Sequence, residues 1–180
     1  MADRNLLRRH LRLAWRETLL EDYRRRLINS ERGLQVHFCH HLMAQFDGRR
    51  RRLFVEPCFV AADGTQRMPD LVVCNSQRII GVVELKFRPR SVANFRKDLS
   101  TLRWFASAPD AVRVANSRYR GEEEASLPAY SLAPDAVLCW AGVYTGSRLD
   151  IEQEAGDLGR RFLSLHAITR RDEAPLLIPG

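Results

Sequence analysis

Residues 68–87 read MPDLVVCNSQRIIGVVELKF, and the fold turns on how this stretch is parsed. Leu71-Val72-Val73-Cys74 and Ile79-Ile80-Gly81-Val82-Val83 are β-branched and apolar runs split by the turn residues Asn75-Ser76, the pattern of a hairpin whose strands are buried on both faces. Pro69-Asp70 opens the first run, and Glu84-Leu85-Lys86 closes the second. Strand side chains alternate faces, so Glu84 and Lys86 project to one side, roughly 7 Å apart along the chain. Hairpin geometry sets Asp70 opposite them. Charges beside such apolar runs cost several kcal/mol unless they pair or bind metal. A buried salt bridge is the plain reading. A metal-dependent phosphodiesterase centre is the sharper one. By chance, PD followed within about twenty residues by ExK arises in such a chain on the order of a few per cent of the time.

Working outward, the chain before this hairpin predicts helices. Leu6, Leu7, Leu11, Leu13, Trp15, Leu19 and Leu20 give an amphipathic helix ending near Ile28. Ser30 then caps a second helix from Glu31 to about Gln45, with Asp47-Gly48 as its stop. Residues 31, 35, 38 and 42 share one face of that helix. Phe38 and Leu42 make it the buried face, so Glu31 and Gln35 point inward. Glu31 is thereby a fourth candidate for the cluster, or simply an acid favoured by the helix N-terminus.

Leu53 to Val60 reads as a first strand, with Pro57 confining it to a sheet edge or a bulge. With Met68 to Cys74 and Arg78 to Phe87 it forms an antiparallel meander. Pro89 closes the third strand, and Val92, Phe95, Leu99, Leu102 and Phe105 give a helix from about Ser91 to Ala106. A strand Ala136 to Tyr144 follows, parallel to the third by the handedness of strand-helix-strand crossovers. Between them, Pro109 to Pro134, with Glu122, Glu123 and Glu124, reads as irregular. A polar-faced helix from about Ile151 to His166 and a tail complete the chain.

The 180 residues, 45% hydrophobic, predict one domain: a helical extension over 1–28, a core over 30–145, and a C-terminal helix and tail over 146–180. The net charge of +7 favours polyanions. Residues 78–103 carry 7 basic groups against 2 acids, whereas 104–180 carry 8 against 11. No stretch approaches a membrane span or a secretory signal, so a soluble, cytoplasmic protein without a membrane partner is expected. Cys39, Cys58, Cys74 and Cys139 lack CxxC spacing and read as free thiols, mostly in the core. His37 and His41, one turn apart, have no evident third metal ligand and read with His40 as surface or packing residues. Trp104, Phe105 and Trp140 read as core.

The chain has 27 arginines and two lysines, Lys86 and Lys97. A lysine retained within the cluster suggests that a planar guanidinium will not serve there.

With Glu31 on a helix, Pro69-Asp70 on one strand, Glu84-Leu85-Lys86 on the next and a helix and strand after them, the chain resembles the PD-(D/E)xK nuclease superfamily. The resemblance covers about residues 30 to 145. It implies a restriction-endonuclease-like α/β fold: an α-β-β-β-α-β core with a mixed four-stranded sheet flanked by helices, here with an extra N-terminal helix. It also implies that Asp70 and Glu84, with the Leu85 carbonyl, hold Mg²⁺ or Mn²⁺, that Lys86 orients or activates the attacking water, and that Glu31 is the helix glutamate found in many members. Phosphodiester cleavage follows, in DNA before RNA. Arg49, Arg50, Arg51, Arg88, Arg90 and Lys97 are candidate contacts to the nucleic acid, with solvated surface charge the competing account. The rival class is an inactive binding or protein-interaction module on the same fold. A membrane-surface role for the Arg-rich helix is a third. The edge strand and N-terminal helix are compatible with a homodimer.

Overall fold

A computed structural model of the protein describes residues 2–46, 48, 50–60, 64, 66–107, 113–114, 130–171 and 173–178. The quoted hairpin is present as β4 (Leu71–Cys74) and β5 (Arg78–Val92), antiparallel, with Leu71 opposite Val83 and Val73 opposite Gly81. Asn75 makes its turn: the side-chain Oδ1 accepts from the amides of Gln77 and Arg78 at 2.9 and 2.7 Å. β1 (Arg52–Val55) pairs antiparallel with β4 and completes the meander at the sheet edge.

The expected strand 53–60 is shorter. Glu56 adopts φ 47°, and with Pro57 it breaks the ladder. The chain resumes as β2 (Phe59–Val60), which pairs with β3 (Gln66–Arg67) in a separate ribbon. β5 does not stop at Pro89 but runs to Val92, with a register irregularity against its neighbour between Arg88 and Val92, the segment where proline cannot donate. The next helix, α3 (Arg96–Ser107), therefore starts later than the apolar spacing predicts.

β7 (Tyr130–Thr145) lies parallel to β5, as the crossover requires, and is longer than expected. The two-residue β6 (Arg113–Val114) pairs with it. Most of the stretch 109–134, Glu122 to Glu124 included, lies outside the described residues, as does Asp47 of the expected helix stop.

The C-terminal expectation is overturned. Instead of a helix over 151–166, α4 (Arg148–Glu154) and a 3₁₀ segment (Gly156–Arg161) lead into β8 (Phe162–Ile168), parallel to β7, followed by β9 (Leu176–Ile178). From Leu163 to Ile168 every β8 residue is buried. Among the described residues the sheet thus has seven strands, in the order β1-β4-β5-β7-β8-β9 with β6 beside β7.

Helices cover both faces. α1 (Ala2–Glu17) and α2 (Glu31–Ala44) pack Leu7, Leu11, Leu34 and Phe38 against Val73, Val83, Leu85 and Ala141. α3 and α4 pack Leu99, Leu102, Phe105 and Ile151 against Val72, Val82, Leu138 and Trp140. This double burial explains the unbroken apolar runs. The expected N-terminal helix passes at Thr18–Tyr23 into a π-helical turn, and Arg26 at φ 62° ends the segment. Ser30 caps α2 as predicted, its Oγ accepting from the Gly33 amide at 3.0 Å. No helix among the described residues is long and apolar enough to cross a membrane.

Candidate active site

β5 is much longer than β4, and the cluster sits where it outruns its neighbour. Register places Asp70, one residue before β4, opposite Glu84. Beyond that point the β5 amides facing the missing strand need acceptors. Two carboxylates supply them: Asp70 Oδ2 accepts from Leu85 N at 2.6 Å, and Glu31 Oε2 from Phe87 N at 3.0 Å. In an extended strand a residue's N–H and C=O point to the same side, so the Leu85 carbonyl faces that edge between the two acids.

The Asp70 backbone is fixed in turn. Its carbonyl accepts from the Glu56 amide at 2.9 Å and from Gln35 Nε2 at 3.2 Å. Gln35, buried on α2, is the inward-facing residue that the helical spacing identified. Glu31 comes from the capped first turn of the same helix.

Glu84 and Lys86 lie on the α3 side of β5. The Lys86 Nζ is 3.3 Å from Asp98 Oδ1 and 3.6 Å from Glu31 Oε2. Asp98, buried on α3, also accepts from Trp140 Nε1 at 3.2 Å. Asp98 is the site residue that sequence reasoning missed as such. Its signal was there: Phe95, Asp98, Leu102 and Phe105 form one helical stripe, and an acid in an apolar stripe has a buried partner.

Four carboxylates thus face one half-buried ammonium. Glu84 is 7% exposed, and its Oε1 has no hydrogen-bond partner. Burial pushes the Glu84 pKa well above the usual carboxylate range. The charges of Asp70 and Asp98 add to the shift, and Lys86 and Lys97 oppose it. Burial raises Asp70 to about 6, against the Leu85 amide, with Glu31 and Asp98 adding to the rise and Lys86 opposing it. Asp98 is also raised by burial, in spite of Lys86 and the Trp140 N–H. For Lys86, burial acts to lower the pKa, but Asp98 and Glu31 outweigh it and hold the value above the ordinary one.

Such a centre has excess negative charge and a buried oxygen with no donor. Among the described residues no group of three or more histidine, cysteine or carboxylate side chains is arranged to hold a metal. The donors here are sparser: two opposed carboxylates and a main-chain carbonyl. That set fits a hard divalent cation that keeps several of its waters.

The other sequence candidates divide by place. Arg88 and Arg90 are exposed on the β5 extension beyond Lys86, and exposed Lys97 lies on α3 beside Asp98. Arg50 and Arg51 lie at the opposite end of the sheet, before Arg52, which pairs with Cys74. Arg49 lies outside the described residues. His37 Nδ1 and His41 Nε2 both meet Asp22 Oδ2, at 3.0 and 2.7 Å. Phe105 and Trp140 are fully buried. All four cysteines are free: Cys74 and Cys139 are buried, Cys39 half-buried and Cys58 exposed.

No family model matches the chain, and no curated protein does. Among solved structures the chain is similar to NucC of P. aeruginosa in its cAAA-bound form, at 12% identity and a TM-score of 0.40, over 97% of this chain and 81% of that one.

Proposed function

We propose that this chain is a nuclease of the PD-(D/E)xK type, a Mg²⁺- or Mn²⁺-dependent phosphodiesterase acting on DNA before RNA. The observation that carries the reading is the Glu84 carboxylate: buried, in register with Asp70, and with an oxygen that no described group satisfies. Asp70, Glu84 and the Leu85 carbonyl would hold the cation. When bound, it would supply Lewis acidity that lowers the pKa of water and offsets charge on the phosphate. Lys86, held by Asp98 and Glu31, keeps a positive charge at the site, where it orients the attacking water and faces the charge that develops on the phosphate. Gln35 keeps Asp70 in place. Arg88, Arg90 and Lys97 are exposed at the same end of the sheet and would contact flanking phosphates.

The test is cleavage of labelled DNA and RNA with Mg²⁺ or Mn²⁺. Asp70→Asn, Glu84→Gln and Lys86→Ala are each expected to reduce the rate on the order of 10²-fold or more. Cleavage that these variants leave unchanged overturns the assignment.

The ion pairs that occupy Lys86 favour a second reading, in which the cluster is an architectural salt bridge in a non-catalytic module. Calorimetry separates the two. Mn²⁺ uptake that disappears in Asp70→Asn and Glu84→Gln supports the enzyme, and its absence in the native chain supports the module.

A further inference from the structure

The arginines at the start of β1 line a cavity of their own. Arg52 pairs with Cys74 at one end of β4, and Asp70 precedes the other end. At about 3.4 Å per residue the two ends are roughly 14 Å apart, and Arg78 and Glu84 on β5 are roughly 20 Å apart. At the far end, Arg50, Arg51 and Arg52 line a cavity of about 460 Å³ with Asn75 and Ser76 of the β4–β5 turn and Tyr130 at the start of β7.

Among the described residues the lining contains three guanidinium groups and no carboxylate. Aromatic rings orient two of them. The Arg52 guanidinium lies over the Tyr130 ring, 5.9 Å from its centroid, and that of Arg51 over Phe46 at 5.5 Å. A guanidinium anchored by its face presents its N–H groups edge-on, as a fork matched to phosphate oxygens. The like charges of Arg50 and Arg52 at one cavity repel one another, and an anion between them relieves the repulsion. The turn is held by the Asn75 side chain, and the volume suits a nucleotide-sized ligand. Tyr130 is 3% exposed, so its face is not available for a base to stack on.

We propose that this cavity is a phosphate-binding site separate from the carboxylate centre, which takes the phosphate of a nucleotide, free or within a strand, without reading the base. The chemistry is the same for both sources, and two probes distinguish them. Full-length protein in EDTA is titrated with ADP by calorimetry and with a short labelled oligothymidylate by fluorescence anisotropy. Binding of at least one probe is expected, with Arg50→Gln/Arg52→Gln weakening it about tenfold or more. Replacing oligothymidylate by oligoadenylate, or ADP by CDP, is expected to change little. Binding of ADP assigns the site to a free nucleotide. Binding of the strand alone assigns it to a phosphodiester backbone, with a salt dependence that becomes shallower in the double variant.

The proposal is overturned if neither probe binds, or if the double variant binds as the native chain does. If loss of Arg52 from the Tyr130 ring lowers the melting temperature, Arg50→Gln alone decides the matter, because its side chain is exposed ahead of β1. Unchanged binding in that variant also overturns the proposal. No metal is present and no cleavage is measured, so the outcome stands apart from that of the nuclease assay.

Discussion

Asp98 shows how one side chain can matter without touching a reacting group. Its carboxylate links the Trp140 indole to the Lys86 ammonium, with 3.2 and 3.3 Å contacts. On the proposed chemistry it is a positioning residue. Asp98→Asn should reduce kcat about tenfold or more while changing the Kd for Mn²⁺ little, because the cation's proposed donors are elsewhere. Steady-state kinetics alongside calorimetry would check this, and an equal loss in both would point to general collapse of the site. Gly142 is the second telling position. It pairs with Lys86 in register, and a Cβ there would overlap the Trp140 indole. Gly142→Ala should therefore cost about 1–3 kcal/mol in urea denaturation, by forcing the indole off its place and away from Asp98. Asp70, Glu84 and Lys86 were legible as residues because charges beside apolar strand runs are conspicuous. The steric need for Gly142 was not, since it depends on the rotamer of a side chain two residues away.

Among the elements, α2 was read closely from its cap and its inward stripe, both local features. The expected strand at 136–144 is present, but the expected helix over 151–166 gives way to β8, because a seven-residue buried strand such as FLSLHAI has no period that separates it from buried helix. If β8 is an interior strand, Leu165→Ala should cost about 2–5 kcal/mol, since Leu165 is fully buried between β7 and the α1–α2 layer. A loss below about 1 kcal/mol in chemical denaturation would not fit an interior strand. The overhang of β5 beyond the start of β4, from Glu84 onward, matters more for function. That overhang leaves unpaired amides at Leu85 and Phe87, and the acids of Asp70 and Glu31 are drawn to them.

For the molecule as a whole, the cluster implies a pH-dependent cost of folding. The Asp70 pKa is about 6 in the folded state against 3.8 for the unreacted side chain, so between roughly pH 4 and 6 the folded chain keeps a proton that the unfolded chain releases. Stability without cation should therefore fall as pH rises through this window. The full difference is up to roughly 3 kcal/mol, less the screening by water that reaches this half-buried group. Buried His166 works in the opposite sense: burial lowers its pKa to about 4, so the stability it contributes above 6.5 is lost as pH falls through 4. The clean measurement is a comparison of variants. In EDTA at pH 8, Asp70→Asn should be more stable than the native chain, the gap should close below pH 4, and Mn²⁺ should stabilise the native chain only. Equal melting curves at pH 8 would refute this. By itself, the sequence determined the α/β class, the hairpin, the capped helix and the identities of the acids and the lysine, because these depend on neighbours a few residues apart. Only the tertiary structure decided that the sheet runs on through β8 and β9, that Asp98 and Trp140 complete the cluster, and that Arg50 to Arg52 lie at the opposite end from it. Those facts depend on strand order, register and overhang, which long-range packing sets and local periodicity does not encode.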